Sequence, residues 1–296
     1  MERHINSEIN KKLLIYFGLT LGITWGSWIP TLTIAYANNY FVAQIGSINL
    51  IFQQGFKDGL HILIYFINQL GVYGPFLAAL ITLYVFEGMN GIKNLFKQIG
   101  KWKINPIWYL IILALPILLT LANLGISALL GADLKAAFNF SVGIPILLLI
   151  FLENLITSGL EEPGWRGFAL PQLHNRYSAY NSSIILGIVW AIWHYPVVYY
   201  NNLDTGPFLA MLAIIGFTAL ITFGSVIYSW IYFNTRSLLL LIIFHALQNF
   251  VPYLVMNGVE DPLGGFTTAI VTLVLVFIIV KKYGEETLTG LIETKK

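Results

Sequence analysis

Cysteine is absent from all 296 residues, which excludes disulfides, a thiolate nucleophile and thiolate metal ligation. Charge is scarce as well. Only 10% of residues are charged and 57% are hydrophobic, with a mean hydropathy of +0.75, whereas an ordinary soluble domain carries about 25% charged residues. A chain so poor in charge cannot coat itself with polar surface, so it reads as an integral membrane protein. The formal charge of +2 comes from basic residues scattered between apolar runs. Without a massed basic face, nucleic acid is excluded as a partner. Repeats of fixed period, low-complexity tracts and a soluble domain are also missing, and the reading is a single membrane domain over 1–296.

What the chain does have is long apolar runs. Roughly 20 apolar residues cross a bilayer as a helix. Runs of this kind fall at 13–36, 70–86, 107–131, 142–160, 182–200, 207–233, 237–256 and 265–280. The first is too long for a signal-peptide core and is followed by many others, so it reads as a retained helix. The segment 43–69 is apolar but interrupted by Gln53, Gln54, Lys57 and Asp58, and reads as an interfacial helix or hairpin lying on the membrane. The fold class is therefore all-α: a polytopic bundle of about eight transmembrane helices.

The basic residues test that topology. With the N-terminus inside and eight alternating spans, every Lys and Arg except Lys57 and Lys135 falls on the inner side. An odd error in the span count would scramble this pattern, and the positive-inside rule then places both termini in the cytoplasm. The same assignment sets the stretch Glu161–Arg166 near the cytoplasmic face.

Against this background a few polar residues stand out. Ser158-Gly-Leu-Glu-Glu-Pro-Gly-Trp-Arg-Gly167 follows one apolar run, and two later runs each carry a histidine, in Trp190-Ala-Ile-Trp-His194 and in His245-Ala-Leu-Gln-Asn249. Ionisable groups are expensive inside lipid and mark function there. His245 and Asn249 are four apart, so they share a helix face, as do Trp190 and His194. Glu162 and Arg166 have the same spacing, although Pro163-Gly164 between them predicts a break or kink in the helix. A carboxylate facing a histidine can hold a water and take its proton. A second histidine and a carboxamide can donate to the oxyanion of a tetrahedral intermediate. Together these suffice to hydrolyse an amide. Glu161, His194 and His245 could equally hold a zinc ion with one position open, and the residues permit both chemistries.

Glu-Glu-x-x-x-Arg, aromatic-x-x-x-His and His-x-x-x-Asn, in this order among about eight spans, resemble the CPBP intramembrane protease family, also called the CAAX protease, Rce1-like or Abi family. The resemblance covers a four-helix core around a polar cavity from about 142 to 256. It implies that Glu161 activates a water with the help of His194, that His245 and Asn249 stabilise the oxyanion, and that Glu162 and Arg166 support them. Trp190 departs from the phenylalanine usual in the second motif, and packing rather than chemistry is expected to differ. The resemblance leaves both a metal-free and a metallo mechanism open; the metal-free one is preferred, because an asparagine suits an oxyanion hole better than a ligand set, so that no cofactor is required.

The implied activity is an intramembrane endopeptidase. Its substrate would be a membrane-associated peptide or protein, with or without a lipid group, such as a CAAX-type C-terminus or a bacteriocin or signal peptide. The substrate would enter from the membrane or its cytoplasmic edge. The short chain points to a prokaryotic plasma membrane. No His-Glu-x-x-His occurs, and all four aspartates lie outside the spans, which disfavours a zinc protease of that signature and an aspartyl dyad. Two alternatives remain: a transporter binding ions at its polar residues, and a non-catalytic scaffold or immunity protein. Of the other polar residues, Glu153 and Asn154 read as packing or hydrogen-bonding groups near the cavity, and Trp165 as a wall residue. His61 and His174 read as ordinary solvent or interface residues, and His4 lies in a polar tail.

Overall fold

A computed structural model describes residues 2–138, 142–257, 259 and 264–289, with side chains described from residue 7 and, in the last helix, from residue 265. Arg3, His4, Asp261, Lys295 and Lys296 lie outside the described positions or side chains. Helices account for nearly all of what is described, and eight of them are long and apolar enough to cross a membrane. Their apolar exterior fits lipid: Leu14, Leu110 and Phe277 are all exposed. The protein is an integral membrane protein of the all-α class.

The eight spans coincide with the apolar runs. Helix α1 (Glu2–Asn38) leads to a short α2 (Ser47–Gln54), then α3 (Gly59–Gly71), α4 (Gly74–Ile99) and α5 (Ile107–Leu129). After them come α6 (Ile144–Ile156), the two short turns α7 (Glu162–Gly164) and α8 (Leu170–His174), and four long helices, α9 (Ala179–Asn201), α10 (Pro207–Thr235), α11 (Leu238–Met256) and α12 (Gly264–Tyr283). One apolar cluster extends from Ile9 in α1 to Leu288 beyond α12.

Within the 43–69 segment, the second half does not lie across the end of the bundle. Tyr40 donates to Asp58 at the top of α3, while Thr24 donates to the Gly71 carbonyl at 2.7 Å and the Trp28 indole to the Asn68 carbonyl at 2.9 Å. Those contacts run α3 antiparallel to α1, down into the bundle and on into α4 after a two-residue break. Its polar side chains are satisfied internally: the Asn68 amide donates to Thr31 at 3.0 Å, and a buried His61 ring lies 2.9 Å from the Phe41 carbonyl. Buried polar groups survive where such partners exist. His61 is thus a buried, partnered residue and not a solvent-facing one. Asp58 caps α3 by accepting from the His61 amide at 2.8 Å. The hydroxyl of Tyr40, with that amide, holds its carboxyl below the usual carboxylate range.

The fourth span, 144–174, is broken into pieces. Helix α6 stops at Thr157 (φ −108°, ψ −92°), a 3-10 turn covers Ser158–Glu161, α7 follows, and a π-helical turn covers Trp165–Ala169. The break expected at Pro163-Gly164 falls earlier, because Pro163 sits in the first turn of α7, where a missing N–H costs nothing. Two glycines let other helices approach these turns. A methyl on Gly159 would lie 3.0 Å from the Ile242 carbonyl oxygen of α11, and one on Gly164 would strike the Pro75 carbonyl of α4.

Alternation of the spans sorts the connections into two ends. One end holds 39–58, 130–138 and 202–206, joined by the 2.7 Å Gln44–Asn201 hydrogen bond and the Tyr36–Asp204 bond. The other holds 100–106, 175–178, 236–237 and 284–289, where Ser237 donates to the Lys101 carbonyl at 2.5 Å and the Ala179 amide to the Glu286 carbonyl at 2.8 Å.

Candidate active site

The broken turns of the fourth span present two adjacent glutamates in different directions. Glu162 is fully buried and turns into the protein. The Arg166 guanidinium donates to its two oxygens at 3.1 and 3.2 Å and to the Ser225 hydroxyl at 3.1 Å. The same guanidinium lies between the rings of Trp190 and Tyr228, 4.4 and 4.6 Å from their centroids. Stacking of this kind suits the flat, weakly hydrated arginine head. Glu162 is also 2.8 Å from Nδ1 of His245 on α11. The carboxylate thus ties α7, α10 through Arg166 and Ser225, and α11 into one charged cluster. Loss of one partner of such a buried pair costs about 3–5 kcal/mol.

Glu161 turns the other way and lines a cavity of about 540 Å³. Nε1 of Trp190 donates to its Oε2 at 2.9 Å. A phenylalanine has no N–H to give, so Trp190 differs from the usual motif residue in chemistry, contrary to the expectation from sequence. One turn on, Nδ1 of His194 donates to the Trp190 carbonyl at 2.9 Å, which leaves Nε2 as the nitrogen available to the cavity. His194 is held edge-on by Trp193 and Phe217, at 4.5 and 5.1 Å.

The structure brings Glu161, His194, His245 and Asn249 together on the wall of that one cavity. Glu162 and Arg166 stand behind the wall and position His245. Glu153 and Asn154 both line the cavity; Asn154 donates back to the Ile150 carbonyl at 2.8 Å, while Oε2 of Glu153 is buried without a hydrogen-bond partner. Trp165 is fully buried and edge-on to Tyr16 and Trp193, behind the wall rather than on it. His174 is bonded to the Tyr177 carbonyl at 3.2 Å and is not among the residues lining the cavity. Sequence reasoning missed Ser225 and Tyr228, whose small hydroxyl and aromatic ring carry no motif of their own.

A divalent metal would need Glu161, His194 and His245 to converge. Among the described residues no three His, Asp or Glu side chains are grouped to hold a metal ion. Nδ1 of each histidine and one oxygen of Glu161 are already engaged by protein groups. That leaves Nε2 of each histidine and the other Glu161 oxygen as donors toward the cavity, the arrangement in which a histidine can ligate a metal, although the three side chains are not grouped around an ion position here.

An eight-span helical bundle with a buried charged cluster against an internal cavity is a membrane protein built to work inside the bilayer. Residues 143–251, which include all seven motif residues, match the model of the type II CAAX prenyl endopeptidases, Rce1-like. Over 254 residues the chain is 26% identical to CAAX prenyl protease 2 of Methanococcus maripaludis, covering 82% of this chain and 83% of that protein. The family resemblance drawn from the three motifs is borne out, and it supports an intramembrane peptidase with a membrane-associated peptide substrate.

Proposed function

We propose that this chain hydrolyses a peptide bond inside the membrane with a water activated by Glu161 and without a metal. The observation that carries the reading is the division of labour between the two glutamates: one is locked behind His245, and the other faces the cavity. The free lone pair on Nε2 of His194 accepts a hydrogen bond from the water, and the Glu161 carboxylate takes its proton as the oxygen bonds to the scissile carbonyl carbon. The carboxamide of Asn249 donates to the resulting oxyanion. His245 donates from Nε2 when its ring is charged, and the Glu162 carboxylate on its far side balances that charge. Protonated Glu161 then delivers the proton to the leaving nitrogen as the C–N bond breaks.

The substrate on this reading is a membrane-associated polypeptide, with or without a lipid group, and the site is a prokaryotic plasma membrane with both termini in the cytoplasm. The test compares peptides released by membranes holding wild-type protein with those holding Glu161→Gln at matched folded amounts. A peptide present only with wild type is expected, and its ends identify the cut. Identical peptide profiles would overturn the reading and favour a transporter or scaffold. On the metal-free mechanism, o-phenanthroline leaves turnover unchanged; inhibition reversed by added zinc would replace it with a metallo mechanism.

A further inference from the structure

One carboxyl group in the cavity takes no part in the proposed hydrolysis. Glu153 lies in the last turn of α6 and lines the same space as Glu161. Its Oε2 is buried and has no hydrogen-bond partner. The Tyr65 hydroxyl lies beside the carboxyl and is 2.8 Å from the Ser47 hydroxyl. An ionisable group at membrane depth is costly unless it is paired. Glu162 obeys that rule, with Arg166 at 3.1 Å and His245 at 2.8 Å. Glu153 does not.

The chain supplies no cation to answer this carboxylate. No lysine or arginine is among the described residues lining the cavity. Arg166 stands behind the wall, bonded to Glu162 and Ser225. His245 is held by Glu162, and Nδ1 of His194 donates to the Trp190 carbonyl. In the connections at the Gln44 end of the bundle, Lys57 donates to the Asn39 carbonyl at 2.6 Å, and Lys135 pairs with Asp133 at 3.2 Å.

We infer that Glu153 is a specificity residue, which pairs with a Lys or Arg side chain of the bound substrate. The inference rests on the endopeptidase reading and narrows its substrate to a polypeptide with a basic residue close to the cut. Glu153 precedes Glu161 by eight positions, on the order of 12 Å at about 1.5 Å per helical residue. An extended peptide advances about 3.3 Å per residue, so the basic residue stands within about four positions of the scissile bond. Aliphatic residues of the cavity, Leu119, Val197 and Ile221 among them, suit the stem of a lysine or arginine while its head stays with the carboxylate. An acidic side chain in that place would face a like charge and be refused.

The test uses the purified full-length protein in detergent. Its probes are Leu/Ala peptides carrying one Lys at successive positions, and the parent peptide carrying none. Products are read by mass spectrometry, and binding is read by fluorescence anisotropy in the Glu161→Gln protein, which holds a peptide without cutting it. Cleavage and binding are expected to favour one Lys register over the parent peptide by about 30-fold or more. Glu153→Gln is expected to erase that ratio, Glu153→Asp to keep it, and Glu153→Lys to transfer it to peptides carrying Glu. Equal binding of Lys and parent peptides, or binding of neither, overturns the subsite, and so does a ratio that survives both Glu153→Gln and Glu153→Lys. The two readings fail separately. Peptides cut without regard to Lys refute the subsite and leave the peptidase standing, whereas Glu153-dependent binding of Lys peptides that wild type never cuts refutes the peptidase and leaves the subsite.

Discussion

Trp190 carries three contacts that no single residue in the motif advertises. Its indole N–H donates to Glu161, its ring faces the Arg166 guanidinium, and its edge meets His245 with centroids 5.5 Å apart. Trp190→Phe keeps an aromatic face for the arginine and removes only the donor. A hydrogen bond to a charged group is worth about 1.5–3 kcal/mol, so kcat is expected to fall about 10- to 100-fold, with KM and the amount of folded protein near wild type. Unchanged kcat would show that the indole N–H does not position the carboxylate. From sequence the tryptophan looked like a packing substitute, because spacing gives the face of a helix and not the reach of a ring nitrogen. The partition of Glu161 from Glu162 was half legible for the same reason. Adjacent residues on a regular helix point about 100° apart, but the 3-10 turn under Glu161 and the π-helical turn after α7 set the directions actually taken.

At the scale of elements, the fourth span depends on glycines that let its turns touch their neighbours. A side chain at Gly164 would displace the Pro75 carbonyl and the Tyr16 hydroxyl together, and backbone cannot yield as a flexible side-chain end can. Overpacking of this kind costs about 1–3 kcal/mol. Gly164→Ala is expected to lower the thermal unfolding midpoint in detergent, whereas Gly18→Ala in α1, with nothing within 4 Å of the added methyl, leaves it unchanged or slightly raised. Equal midpoints for the two variants would mean that α7 and α4 separate without cost. The breaks themselves were readable in part: Pro163-Gly164 announced irregular backbone, and the turn found its place at Thr157 because tertiary contacts, not propensity, fixed it. Helix α3 was misread because Gln53 and Gln54 end α2 and Lys57 and Asp58 lie in the turn before α3, while Asn68 and His61 find partners that only the folded bundle supplies.

For the whole molecule, the eight spans were legible because lipid imposes one length on every crossing and charge imposes one direction. Apolar runs and the position of Lys and Arg are local properties of a sequence. The cavity is not local. It is assembled from α1, α3, α5, α6, α9, α10, α11 and α12 and from the connections after α1 and α6, and no periodicity reports that Gln44 and Asn201 meet across 157 positions on its wall. Three short motifs pointed to the right helices; they could not show how those helices close around one space.

The buried cluster also sets an order of events in biosynthesis. Glu162 and Arg166 enter the bilayer in the fourth span, but Ser225 follows 59 residues after Arg166 and His245 follows 83 after Glu162. At a synthesis rate of about 5–20 residues per second, those partners arrive about 3–17 s later. A charged side chain at the middle of an inserting helix costs about 2.5–3.5 kcal/mol, and in that interval Glu162 and Arg166 have only each other. The fourth span is therefore a late-settling one, complete in its contacts only after the sixth and seventh have supplied Ser225 and His245.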